Sequence, residues 1–147
     1  MIKLSEASSL ALHTMVYLSA NPGKQVSASQ IAGELKVSEA HLAKVLQRLC
    51  RSGLASSVRG PRGGFAVANG YRETSLLEIY ESIEGPLTEK RCRLTSPVCN
   101  DGKCIFGSLI GDLSKQFRDY LSKTKLTDLA GRIGGNDARC EKDNSDR

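Results

Sequence analysis

The stretch from Val26 to Ala68 most limits what this chain can fold into. In VSASQIAGEL, Ser27 and Gln30 stand three residues apart in the pattern of a capping box, and Ile31 and Leu35 share one helical face. Lys36-Val37-Ser38 break that pattern, and EAHLAKVLQRLCRSG resumes it with Leu42, Val45, Leu46 and Leu49 at helical spacing. A helix, a short turn and a second helix result. Two short apolar segments follow, around Leu54 to Val58 and Phe65 to Ala68, and flank the run Arg59-Gly60-Pro61-Arg62-Gly63-Gly64. Glycine and proline between such segments signal a β-hairpin. Helix, turn, helix and basic hairpin is the layout of a winged helix-turn-helix, so the predicted fold is mainly α with a small β-hairpin wing.

The flanks extend this plan. LSEASSLALHTMVYLSANPG offers Ser5 as N-cap, apolar residues at helical spacing and Asn21-Pro22-Gly23 as a stop. TSLLEIYESIEG reads as a further capped helix, with Ser75 and Glu78 at its start and Leu76, Ile79, Tyr80 and Ile83 on one face. From Phe106 to Leu121 an apolar stripe (Phe106, Leu109, Ile110, Leu113, Phe117, Tyr120, Leu121) marks a long amphipathic helix with little chain left to cover it. A chain of 147 residues with 39% hydrophobic side chains suffices for one compact domain plus such an assembly element. The boundaries read as a winged domain over 1–85, a cysteine-containing loop over 86–104, a dimerisation helix and following segment over 105–130, and a disordered tail over 131–147, polar and glycine-rich.

Charge locates the partner. Between Lys36 and Arg72 there are seven basic residues against one acidic residue, Glu39, whereas the whole chain carries only +5. A polyanion explains that density better than solubility does. A helix about 10–12 Å across fills the major groove of double-stranded DNA, and a hairpin with arginines at its tip reaches the neighbouring phosphates or the minor groove. With the leucine and valine face of the second helix turned to the core, Ser38, Glu39, His41 and Lys44 face outward near its amino terminus, where base edges are met. In the hairpin, Arg59 and Arg62 supply charge, Gly60 and its neighbours let the backbone approach closely, and Pro61 stiffens the turn. An ordinary hairpin with incidental arginines leaves the charge bias unexplained.

No apolar run is long enough for a membrane span, and the amino terminus lacks the features of a secretory signal. The expected location is the cytoplasm, with no membrane partner. Thiols stay reduced there, which bears on RCRLTSPVCNDGKCIFG, where Cys92, Cys99 and Cys104 are separated by gaps of six and four residues. An odd cluster of cysteines in a reducing compartment points to metal or redox chemistry rather than to a disulfide framework. Thiolates are soft ligands for zinc or for iron-sulfur clusters, and Lys90, Arg91, Arg93 and Lys103 favour the ionised form. Cys50 reads as a packing residue and Cys140 as part of the tail.

Through KLSEASSLALH, VSASQIAGEL, VSEAHLAKVLQRLCRSGLASSVRGPRGGF, SLLEIYESIEG and the cysteine segment with its following helix, the chain resembles the Rrf2 family of winged-helix transcription regulators, from about residue 2 to residue 130. The resemblance implies a homodimer that binds an operator in double-stranded DNA. It also implies that Cys92, Cys99 and Cys104 hold an iron-sulfur cluster, 2Fe-2S in preference to 4Fe-4S, which senses cluster supply, nitric oxide or redox state. The histidine that some members carry three residues beyond the last cysteine is Gly107 here, and the acidic ligand of first helices in the family falls at Ser9. His13, one turn on, is the candidate fourth ligand, from the same or the partner subunit, with Glu6 or Asp101 as substitutes; His41 belongs to the DNA face. Without a cluster, the same regulator would respond to a partner protein, to thiol oxidation or to zinc. No phosphate loop or nucleophilic triad suggests an enzyme.

Overall fold

The computed structural model describes residues 2–88, 94, 96, 98, 99 and 103–133. Among them, helix α1 spans Glu6–Ser19, α2 Ala28–Leu35 and α3 Glu39–Arg51. Strands β1 (Ala55–Val58) and β2 (Gly64–Val67) follow, then α4 (Leu76–Glu84), α5 (Leu109–Lys123) and the short α6 (Leu126–Leu129). Serine hydroxyls start the first four helices: Ser5 accepts from the Ser8 amide, Ser27 from Gln30, Ser38 from His41 and Ser75 from Glu78. Each satisfies one of the amides that a helix start leaves without an intrahelical partner. Lys36, at φ 55°, takes the left-handed conformation that ends α2 and turns the chain into α3.

The wing is antiparallel, with Ala55 opposite Val67 and Val58 opposite Gly64. Val26 adds an isolated bridge on the far side of β2, exchanging amide and carbonyl hydrogen bonds with Phe65 at 2.9 and 2.8 Å. Two glycines make this possible. A Cβ on Gly63 would lie 2.0 Å from the Val58 carbonyl oxygen, and one on Gly64 would lie 2.6 Å from that of Val26. The wing is thereby fixed to the segment that leads into α2.

One core joins the elements. Ala11 and Met15 of α1, Ile31 of α2, Leu42, Val45, Leu46 and Leu49 of α3 and Ile79 and Tyr80 of α4 are almost wholly buried. The fold is therefore mainly helical with one small antiparallel sheet, and the predicted helix-turn-helix and hairpin are both present.

The carboxyl-terminal helix differs from expectation in two ways. Phe106 lies in the turn before α5 rather than in the helix, which begins at Leu109. The apolar stripe is also divided. Phe117 meets Tyr80 edge to face, with centroids 5.3 Å apart, and Leu121 is buried in the core, so the second half of α5 packs on α4 of the same chain. A further bridge ties the end of α5 to the start of α4, where the Leu76 amide donates to Thr124 and the Leu126 amide to Thr74, each at 3.0 Å. Phe106, Leu109, Leu113 and Tyr120 remain exposed. Past α6, Ile133 packs against the core, and residues 134–147 of the tail expected from residue 131 lie outside the described residues. Among the described residues no helix is long and apolar enough to cross a membrane.

Candidate nucleic-acid interface and cysteine segment

The geometry of α3 follows from its two faces. Leu42, Val45, Leu46 and Leu49 are at most 2% exposed, which fixes the rotation of the helix about its axis. Ser38, Glu39 and Lys44 are exposed as a result, and His41 is half-buried. The Ser38 hydroxyl accepts from the His41 amide at 3.2 Å, so its first role is to cap the helix. The Nδ1 atom of His41 stands 3.6 Å from the Glu6 carboxylate at the start of α1, an ion pair whenever the imidazole is protonated. Nothing in the local sequence pattern joins these two residues. Gln47 and Arg51 are also exposed on α3, at spacings of three and seven from Lys44. The sequence reading confined the outward face to the first turns and missed them, although helical spacing from Lys44 marks both.

Arg59, Gly60, Pro61 and Arg62 are all exposed at the tip of the wing. The Gly63 amide closes the turn on the Gly60 carbonyl at 3.0 Å, and Gly60 adopts φ 112°, a conformation that L side chains rarely take. Of the seven basic residues between Lys36 and Arg72, one has a different use. Arg48 donates from Nη2 to the carbonyl of Ile83 at the end of α4, at 2.6 Å.

The cysteine segment is described in part. Cys92 lies outside the described residues, as do Lys90, Arg91, Arg93, Asp101 and Cys140. Cys99 and Cys104 are half-buried free thiols, and the Cys104 carbonyl accepts from the Gly107 amide at 2.9 Å in the turn leading to α5. Among the described residues no group of three histidine, cysteine, aspartate or glutamate side chains is placed to hold a metal. Cys50, also a free thiol, lies on α3, where burial pushes it up and a hydrogen bond from Ser57 of the wing acts in the opposite direction.

His13 is exposed on α1, and its Nδ1 lies 2.7 Å from the Ser9 carbonyl. A carbonyl only accepts, so Nδ1 carries the proton and the lone pair of a neutral ring is on Nε2. His13 shares an open depression of about 270 Å³ with Glu6, Ser9 and Leu10 of α1, Leu35 of α2 and Val37 of the turn before α3. Two of the candidate fourth ligands therefore line one hollow.

A family model described as iron-dependent transcriptional regulators, Rrf2, matches residues 4–132. The chain belongs to the Rrf2 family. Its relatives include an HTH-type transcriptional regulator of Aquifex aeolicus, 31% identical over 122 residues that cover 81% of this chain and 85% of that one. BadM of Rhodopseudomonas palustris is 41% identical over 83 residues, 56% of this chain and only 53% of BadM. Among solved structures, the global cysteine regulator CymR of B. subtilis superposes with a TM-score of 0.74 at 26% identity, covering 88% of this chain and 97% of CymR. T. potens IscR gives 0.68 at 25% identity, covering 87% and 85%. Both share the helical fold with a small wing. This Rrf2 protein is a DNA-binding transcription regulator and not an enzyme.

Proposed function

We propose that this Rrf2 protein is a homodimer that reads an operator through α3 and the Arg59–Arg62 turn, with an affinity set by an iron-sulfur cluster, 2Fe-2S in type, on Cys92, Cys99, Cys104 and His13. The observation that carries the reading is the orientation of α3. Burial of its leucine face leaves Ser38, Glu39 and Lys44 pointing outward from a capped amino terminus, with His41 at the edge of that face and an arginine-bearing turn on the same winged domain. Ser38, Glu39, His41 and Lys44 would meet base edges, while Arg59, Gly60 and Arg62 would lie against phosphates.

The donor set fits the cofactor in chemistry. Soft thiolates suit iron-sulfur clusters, Cys99 and Cys104 are free, and a ligating histidine commonly gives its other ring N–H to a carbonyl, as His13 does to Ser9. When bound, the cluster would supply an iron centre responsive to redox state and nitric oxide. The family description, iron-dependent, agrees with that input. The exposed first half of α5 supports the dimer, since Leu109 and Leu113 offer a second copy an apolar surface.

Anaerobic purification tests this reading, with an absorbance spectrum and iron and sulfide counts before and after exposure to air. Visible absorbance with equal iron and sulfide is the expected result. Stoichiometric zinc without sulfide would leave only the DNA-binding half. A second reading, control by thiol oxidation without metal, draws on the free Cys99 and Cys104 and on the similarity to S. aureus CymR, a structure of which is of an oxidised form. It predicts a colourless protein whose DNA affinity responds to diamide and recovers with a reductant.

A further inference from the structure

The last turn of α4 and the residues that follow it towards the cysteine segment are gripped from three directions. Ile83 contributes one of the last carbonyls of α4, which no helical amide can satisfy, and Arg48 of α3 fills that role at 2.6 Å. The bond is charge-assisted, and a cation at a helix carboxyl terminus also meets the negative end of its dipole. Glu84, whose side chain is 8% exposed, accepts from the amide and hydroxyl of Ser5 and faces the Lys3 ammonium at 3.8 Å. Leu87 is buried, its amide donates to the Glu81 carboxylate at 2.9 Å, and its carbonyl accepts from Arg118 of α5. The start of α1, the recognition helix and the carboxyl-terminal helix thus converge on five residues, Ile83 to Leu87, ahead of the segment that holds the cysteines.

Arg48 is the one of these ties that comes from α3. It lies one turn beyond Lys44, so a rotation or shift of α3 that moves Lys44 against DNA also pulls on Ile83. Arg48 is exposed, but one Nη2–H of its guanidinium is held by the Ile83 carbonyl, which turns the side chain towards the end of α4. We propose that Arg48 is a positioning residue that couples α3 to the entrance of the cysteine segment, and that it is not a DNA ligand. The inference rests on the reading of α3 as the recognition helix. Coupling of this kind is reciprocal: what α3 gains on binding DNA must appear as altered stability at the α4 exit, and the converse.

Two measurements on the full-length protein test this, with a duplex that the wild type has selected from a random pool. In a salt titration, a lost phosphate contact lowers the slope of log affinity against log salt by about one, as expected for Arg59→Ala. Arg48→Ala should weaken binding severalfold and keep the wild-type slope; a slope reduced as in Arg59→Ala would make Arg48 a phosphate ligand and overturn the proposal. In amide exchange, the duplex should protect α3 in both proteins, but slow the Gly85 and Leu87 amides severalfold in the wild type only. Equal slowing in Arg48→Ala, or none in the wild type, would also overturn it. Absence of protection on α3 itself would refute the interface reading instead, and the coupling with it. Should Arg48→Ala fail to fold, Arg48→Gln, shorter but closer in volume, carries the same expectations.

Discussion

At the level of single residues, what the sequence revealed and what it concealed divide by distance along the chain. The caps at Ser5, Ser27 and Ser75 were legible because a hydroxyl and the amide it serves stand three residues apart. The bond from Arg48 to Ile83 and the bonds from Ser5 to Glu84 join positions 35 and 79 residues apart, and no local pattern encodes them. Gly64 was legible only as turn punctuation, yet the structure gives it a steric duty. At φ 156°, with a would-be Cβ 2.6 Å from the Val26 carbonyl oxygen, it cannot take a side chain without moving backbone. Gly64→Ala should cost about 1–3 kcal/mol in conformational strain alone, seen as a lower urea midpoint; an unchanged midpoint would show that the wing does not press on Val26. Glu84 sets a pH window. Burial pushes its carboxyl up, but hydrogen bonds from Ser5 and Ser8 and the Lys3 charge outweigh this and hold it below the usual carboxylate value. A depressed folded pKa stabilises above the unfolded value, near about 4.3, and that contribution is lost as pH falls through the folded one. The stability gap between wild type and Glu84→Gln should therefore be full at neutral pH and shrink on acidification below that value. A gap constant with pH would mean that the carboxylate charge contributes nothing.

At the level of elements, the helix-turn-helix and the wing could be read because hydrophobic period and turn chemistry agree there. The outer helix could be read as a helix but not as to its partners. An apolar stripe looks the same whether it will meet α4 of its own chain or a second copy, so the sequence attributed the whole stripe to dimerisation. The structure packs Phe117 and Leu121 within the chain and leaves Leu109 and Leu113 exposed, and the latter pair is the surface proposed for a second copy. The two halves should respond differently to substitution. Leu113→Glu, at a site 45% exposed, should leave the melting temperature of the monomer fold nearly unchanged while shifting sedimentation from dimer towards monomer at micromolar concentration. Phe117→Ala removes the ring packed on Tyr80 and should cost about 2 kcal/mol, less than a fully buried phenylalanine would. A Leu113→Glu protein that sediments as the wild type does would place the dimer contact elsewhere.

Across the whole molecule, all seven basic residues between Lys36 and Arg72 are exposed, and among them Arg48 also bonds to the Ile83 carbonyl. The cysteine reading is of another kind. Spacing and compartment suggested metal or redox chemistry, and which ligand completes the set depends on how chain segments distant in sequence come together. His13 and Glu6 line the same hollow at one side of α1, while Glu6 also faces His41 of α3, so the proposed ligand surface and the DNA surface share a wall. Removing ligands one at a time should therefore act on both iron content and DNA response. Cys99→Ser and Cys104→Ser should each lower iron and weaken the visible absorbance, because a hard hydroxyl is a poorer ligand for a cluster than a soft thiolate. Cys50→Ser should do neither, since its thiol packs between α3 and the wing. His13→Ala should keep the three thiolates and so retain some iron, with a changed spectrum and faster loss in air, whereas His41→Ala should leave the spectrum intact and weaken duplex binding. The duplex affinity of Cys99→Ser should no longer respond to iron and sulfide reconstitution, and it should equal that of the cluster-free wild type. If Cys99→Ser and Cys104→Ser both keep full iron and the native spectrum, these thiols are not the ligands; if His41→Ala changes the spectrum as much as His13→Ala does, the fourth ligand does not come from His13.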